Sequence, residues 1–185
     1  MTRCKPADVV QNYLLAKDGN RPHLLREAFA PDATLEVLVK TDAISFAPVS
    51  HGREAIEELL VRRFAQTYEN IYTFCLEAPP AAQHQRFTCR WLVAMTEKEN
   101  RSVRAGCGSY DWEFAPHSGL AQRLMITIDT MESFDPIHQP AVLSWVSKLP
   151  YPWCSMQRAT KDAPSVEILK SLQKRLLGKA NQSNF

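Results

Sequence analysis

The sequence predicts an α+β fold in which early helices pack on one face of a curved sheet. Apolar residues recur at helical spacing up to residue 64, and β-rich runs fill the stretch from 71 to 134. Two glycines, Gly106 and Gly108, interrupt one of the long strands. Glycine there weakens pairing and marks a bulge or sharp bend, so the sheet is expected to curl at this point. A curled sheet closed by helices makes a cone around an apolar cavity, a common setting for a small-molecule site.

The first helix begins at Pro6, carries Val9, Val10, Tyr13 and Leu14 on one face, and stops at Lys17 and Gly19. A second, short helix is capped by Asn20, carries Leu24, Leu25, Ala28 and Phe29, and ends at Pro31. Thr34, Leu35, Val37, Leu38 and Val39 favour a strand over 33–39, and a loop follows from Lys40 to Ser50. After Gly52, the residues Ile56, Leu59, Leu60 and Phe64 make the third helix. Strands are expected over 71–78, 86–96, 102–114 and 121–134, with hairpin turns at 97–101 and 115–119.

Length and composition narrow the function classes. A chain of 185 residues fits one core-bearing domain, and 45% hydrophobic with 23% charged residues is ordinary for a globular protein. The formal charge of +2 supplies no general field for phosphates, so no nucleic-acid partner is expected. No signal-peptide run and no span of 18 apolar residues is present, which points to a cytoplasmic protein without membrane attachment. Five cysteines, Cys4, Cys75, Cys89, Cys107 and Cys154, are odd in number and lack ligand spacing, so free thiols and no metal are expected.

The final fifty residues read differently. Prolines at 136, 140, 150, 152 and 164 divide them, and the run from Leu149 to Cys154 is too apolar to lie in water. Val166, Leu169, Leu172 and Leu176 form a helical stripe, and the segment from Arg158 onward carries a net charge of +4. An arm packed on the cone or on a second subunit is the expectation, in preference to a membrane-surface helix.

The runs VVQNY at 9–13, LLREAFAPDATLEV at 24–37 and HGREAIEELL at 51–60, with the YDWEF and TMESFDP strand ends, resemble the nuclear transport factor 2-like superfamily. That superfamily includes ketosteroid isomerase and polyketide-cyclase-like proteins. The resemblance spans roughly residues 6 to 136. It implies a cone of three N-terminal helices on a strongly curved, mainly antiparallel sheet, with residues 1–136 as the domain and 137–185 as a C-terminal helical arm. It also implies a frequent homodimer through the sheet.

Ketosteroid isomerase resemblance implies a carboxylate base beside a carbonyl, and a tyrosine with a protonated aspartic acid as oxyanion donors. The tyrosine matches Tyr13, the aspartic acid position matches Tyr110, and the base position is Val37. One role is kept, one passes to another donor, and the base is lost. Replacement acids or bases are sought at Asp111, Asp129 and His51, with Asp42 and Glu132 near them; no cofactor is implied. Strand alternation sets Tyr110 and Trp112 on one face and Ser109, Asp111 and Glu113 on the other.

Three functions compete. The first is a binding module for a small apolar or aromatic molecule, its cavity lined by Tyr13, Leu35, Val37, Tyr110, Trp112, Ile126 and Ile128. The second is a cofactor-independent isomerase, dehydratase or cyclase acting on a cyclic or aromatic carbonyl compound. The third is a dimeric scaffold whose cavity is filled by Trp91 and Trp112. The cavity volume separates the first two from the third.

Overall fold

The computed structural model describes residues 3–82, 84–161, 163–164 and 174. Helix α1 (Pro6–Asp18) starts on its proline, since the missing N–H falls where a helix has no internal partner. Its inward face buries Val9, Val10, Tyr13 and Leu14. The second helix of the sequence reading is reduced to a 3-10 turn (Pro22–Glu27), and Phe29 to Pro31 already belong to strand β1 (Phe29–Val39). Pairing with the last strand, in which Phe29 faces Ala121, overrides the local helical spacing.

The expected loop contains a short strand β2 (Val49–His51) that pairs Thr34 with His51 and Glu36 with Val49. Helix α2 (Arg53–Glu57) continues through a π-helical turn (Glu58–Arg63) into α3 (Phe64–Thr67). Arg62 and Arg63 each reach back five residues to Glu57 and Glu58, the spacing that a widened turn brings together. Strands β3 (Tyr68–Cys75), β4 (Arg86–Glu97), β5 (Val103–Phe114) and β6 (Ala121–Phe134) complete the sheet. The order is β2-β1-β6-β5-β4-β3, antiparallel throughout except for β1 beside β6.

The bend sits where the glycines stand, but the bulge is on the neighbouring strand. Cys107 pairs with Thr130 and Gly108 with Ile128, so Asp129 of β6 is the extra residue. Burial along β5 passes from Val103, Ala105 and Cys107 on one face to Tyr110, Trp112 and Phe114 on the other, with 105–108 buried throughout, and β6 buries Leu124, Ile126 and Ile128 before the bulge and Met131 after it. A Cβ on Gly108 would lie 1.8 Å from the Thr127 carbonyl oxygen, which leaves room for hydrogen alone.

Each face of the sheet carries a core. One face packs on α1 and the α2 helix through residues such as Leu35, Trp91, Tyr110 and Ile126. The other buries Leu92, Ala94, Val103, Ala105 and Cys107 beneath Val142, Trp145 and Val146 of α4 (Gln139–Val146) and Ala159 of α5 (Met156–Lys161). Trp145 Nε1 donates to the Ala159 carbonyl at 3.1 Å and ties the two helices together. Between them the chain runs along the free edge of β3, with Cys75 N donating to Pro152 O and Cys154 N to Cys75 O. The stripe Val166, Leu169, Leu172 and Leu176 lies outside the described residues.

Candidate functional site

The cone encloses a cavity of about 50 Å³ between α1 and the concave side of the sheet. Its wall is apolar where the strands contribute Val37, Trp91, Val93, Met95, Ile126 and Ile128. Helix α1 contributes Tyr13 and Lys17, one turn apart and therefore on one side of the helix. The α2–α3 helix contributes Leu60 and Phe64, and the 40–48 loop closes the opening with Ile44 and Phe46. Phe46 stacks on Phe64 at 6.4 Å between ring centroids, and Phe64 meets Tyr68 at 4.8 Å.

Tyr13 and Tyr110 meet at the cavity wall with ring centroids 5.9 Å apart, and the Tyr110 hydroxyl is hydrogen-bonded to Tyr13. Burial pushes both phenols above their ordinary pKa of 10.0, so both stand neutral as donors; for Tyr13 the bond from Tyr110 works against that rise and the Asp18 charge adds to it. Val37 occupies the wall at the position where the resemblance implies a base.

The structure places several of the sequence candidates away from the cavity wall. Leu35 and Trp112 do not line the cavity. Trp112 lies within an aromatic cluster, 5.4 Å from Tyr13, 5.9 Å from Phe29 and stacked on Phe114 at 6.1 Å. Leu35 is buried in the same core. Asp111 faces away from the cavity and accepts from Thr88 Oγ1 at 3.4 Å. Asp129 is held at the bulge by Lys40 Nζ at 3.1 Å. His51 is exposed on β2, its Nδ1 3.4 Å from Thr34 Oγ1. Asp42 is exposed, and Glu132 accepts from Thr130 Oγ1 at 3.1 Å. None of these five groups lines the cavity, so a carboxylate or imidazole is absent from its wall among the described residues.

The sequence reading also missed a buried ion pair. Lys17, read there as a helix stop, turns its amine inward and is only 5% exposed. Its Nζ donates to Asp18 Oδ1 at 2.6 Å and to Thr73 Oγ1 at 2.8 Å. Asp18 accepts in addition from Thr73 N at 2.7 Å, Thr73 Oγ1 at 2.9 Å and the Tyr151 hydroxyl at 3.1 Å. The signal in sequence was a lysine four residues after an inward tyrosine, which places it on the buried side of α1. Among the described residues no group of three or more metal-ligating side chains converges, and no helix is long and apolar enough to cross a membrane.

No protein-family model and no curated protein sequence matches the chain. Solved structures match its fold. A hypothetical protein with a ketosteroid isomerase-like fold from Catenulispora acidiphila, in complex with trimethylamine, is 19% identical at TM-score 0.51 and covers 64% of this chain and 83% of its own. A computationally designed 17-OHP binder is 15% identical at TM-score 0.53, covering 70% and 98%. A nuclear transport factor 2-like superfamily protein from Salmonella enterica is 16% identical at TM-score 0.51, covering 67% and 88%. The order of helices and strands, the bent sheet and these matches agree, and the chain has the cone fold of the nuclear transport factor 2-like superfamily.

Proposed function

We propose that this protein binds a small apolar or aromatic molecule in the cone cavity. The observation that supports this is the wall itself: apolar side chains surround two neutral tyrosine hydroxyls and a buried amine, while the position of a proton-accepting base is Val37. Hydroxyl donors without a base hold a ligand and do not move its proton. An isomerase, dehydratase or cyclase would need Asp111, Asp129 or His51 in the cavity, and each is engaged elsewhere. The fold neighbours include a trimethylamine complex and a 17-OHP binder, which supports a ligand-holding use of this cone.

The volume of about 50 Å³ is well below the roughly 300–1,000 Å³ of a ligand pocket, and taken alone it matches the filled cone of the scaffold reading. An aromatic ring therefore enters only when Ile44 and Phe46 swing out with their loop. In this reading the domain over 1–136 holds the cavity, and the helices within 139–161 brace the sheet from behind. Five cysteines without a disulfide suit the reducing cytoplasm.

Native mass spectrometry of freshly purified protein tests the proposal. A retained compound that is released on denaturation supports it. The bare chain mass, together with no rise in melting temperature over a panel of aromatic ketones and hydrocarbons, sinks it and leaves a filled scaffold.

A second reading, a homodimer through the sheet, is favoured by one observation. Leu38 and Val49 are 47% and 46% exposed on neighbouring strands at the β1–β2 edge. A monomer at micromolar concentration in sedimentation velocity would remove it.

A further inference from the structure

We infer that Lys17 is the polar anchor of the cavity and selects an uncharged ligand that carries a hydrogen-bond acceptor oxygen; this rests on the binding reading above. An ammonium has three N–H donors. Asp18 Oδ1 and Thr73 Oγ1 take two of them, and among the described residues no third polar acceptor meets Nζ. The ring of Phe64, at the cavity opening, lies 5.1 Å from it.

Trp91 supplies an independent observation. Its indole N–H is buried without a partner, the residue is 3% exposed, and it lines the same cavity. A buried donor left unmet costs about 1–3 kcal/mol, so a wall that offers an ammonium and an indole N–H calls for a ligand that brings the acceptor. Tyr110 stacks on Trp91 at 5.8 Å between ring centroids.

Charge then fixes the class. Asp18 already neutralises Lys17 and is itself held by Thr73 and Tyr151, so it cannot turn away without stranding buried donors. A carboxylate ligand would add an uncompensated charge to a site of low dielectric. A ketone, ester or ether oxygen adds none.

The test uses the full chain and three probes of one shape: 2-acetylnaphthalene, 2-ethylnaphthalene and 2-naphthoate, titrated by calorimetry. The ketone is expected to bind about tenfold or more tighter than the hydrocarbon, as one hydrogen bond to a charged donor implies, and the carboxylate weakest of all. Lys17→Met is expected to abolish the preference for the ketone while the hydrocarbon stays within about threefold. In the unaltered protein, a nuclear Overhauser contact from a ¹³C-acetyl methyl to the Lys17 side chain reports the same placement without any substitution.

Equal affinity for the ketone and the hydrocarbon, a carboxylate as tight as the ketone, or a preference kept in Lys17→Met overturns the inference alone. Absence of that Overhauser contact with the ketone bound does so too. Binding of none of the three probes overturns the binding reading itself.

Discussion

Tyr151 and Asp18 stand 133 positions apart in the chain, and the tyrosine hydroxyl donates to the Asp18 carboxylate at 3.1 Å. The bond joins the segment behind the sheet to the end of α1 at the cavity wall. Tyr151→Phe removes one of four donors to a buried carboxylate, and a loss of about 1.5–3 kcal/mol is expected in urea melts. Asp18→Ala leaves the Lys17 amine buried without its counterion and is expected to cost about 3–5 kcal/mol. Equal, small effects from both substitutions would show that this network contributes little.

Gly108 and Thr127 define the tightest point of the sheet. Gly108→Ala sets a methyl against a backbone oxygen at 1.8 Å, which no side-chain rotation relieves. At Gly106 the nearest atoms are 2.6–2.9 Å away and include the flexible Met131 thioether. Gly108→Ala is therefore expected to destabilise more than Gly106→Ala, with overpacking costs of about 1–3 kcal/mol as the lower bound for the former. The reverse ranking in thermal melts would move the bend away from Gly108.

Much of the cone was legible in sequence because composition and punctuation agree: Pro6 opens α1, β-rich runs between turn signals mark the later strands, and the paired glycines stand opposite the bulge. The boundary at Phe29 was not, since β1 is claimed by a partner strand nearly a hundred residues later. Tyr13, Val37 and Tyr110 were expected at the cavity from the family resemblance and Ile126 and Ile128 from strand phase, and all five side chains line it. Leu35 and Trp112 have the same inward phase but sit deeper, and phase carries no depth. Lys17 escaped notice because a lysine before a glycine reads as a helix stop, and its buried partner Thr73 is 56 positions away.

Alkaline pH tests the tyrosine cluster. Burial raises the hydroxyls of Tyr13, Tyr110 and Tyr151 above their ordinary value of 10.0. The unfolded chain therefore releases these protons first as pH rises. The stability tied to the neutral phenols is full below about pH 10 and is lost above it. Tyrosinate absorbance from these three is expected to appear together with loss of native circular dichroism. Their ionisation in a chain that keeps its native spectrum would show that the hydroxyls reach solvent.

The segment behind the sheet covers Leu92, Ala94, Val103, Ala105 and Cys107. Truncation after Asp135 uncovers that apolar face and the free edge of β3, since the 152–154 segment is removed with it. Aggregation or a markedly lower melting temperature is expected. A truncated chain that stays soluble, equally stable and in the same oligomeric state would show that the segment is a detachable tail.

If the cavity binds a ligand, the 40–48 loop is the segment expected to govern its entry. Its ends are fixed by Lys40 N donating to Ile128 O and Val37 N donating to Pro48 O. Between them the Arg104 guanidinium holds the Ala43 carbonyl at 2.8 Å, and Ile44 and Phe46 reach the cavity. Phe46→Ala removes the ring that stacks on Phe64 and enlarges the opening without touching Tyr13, Lys17 or Trp91. Association of 2-acetylnaphthalene is expected to speed up by about tenfold or more, because roughly 1.4 kcal/mol removed from an opening barrier gives that factor. Dissociation should accelerate with it, leaving the equilibrium affinity within about threefold of the unaltered protein. Unchanged association and dissociation rates in stopped-flow quenching of tryptophan would mean that the ligand enters elsewhere, and that Phe46 is only a part of the wall.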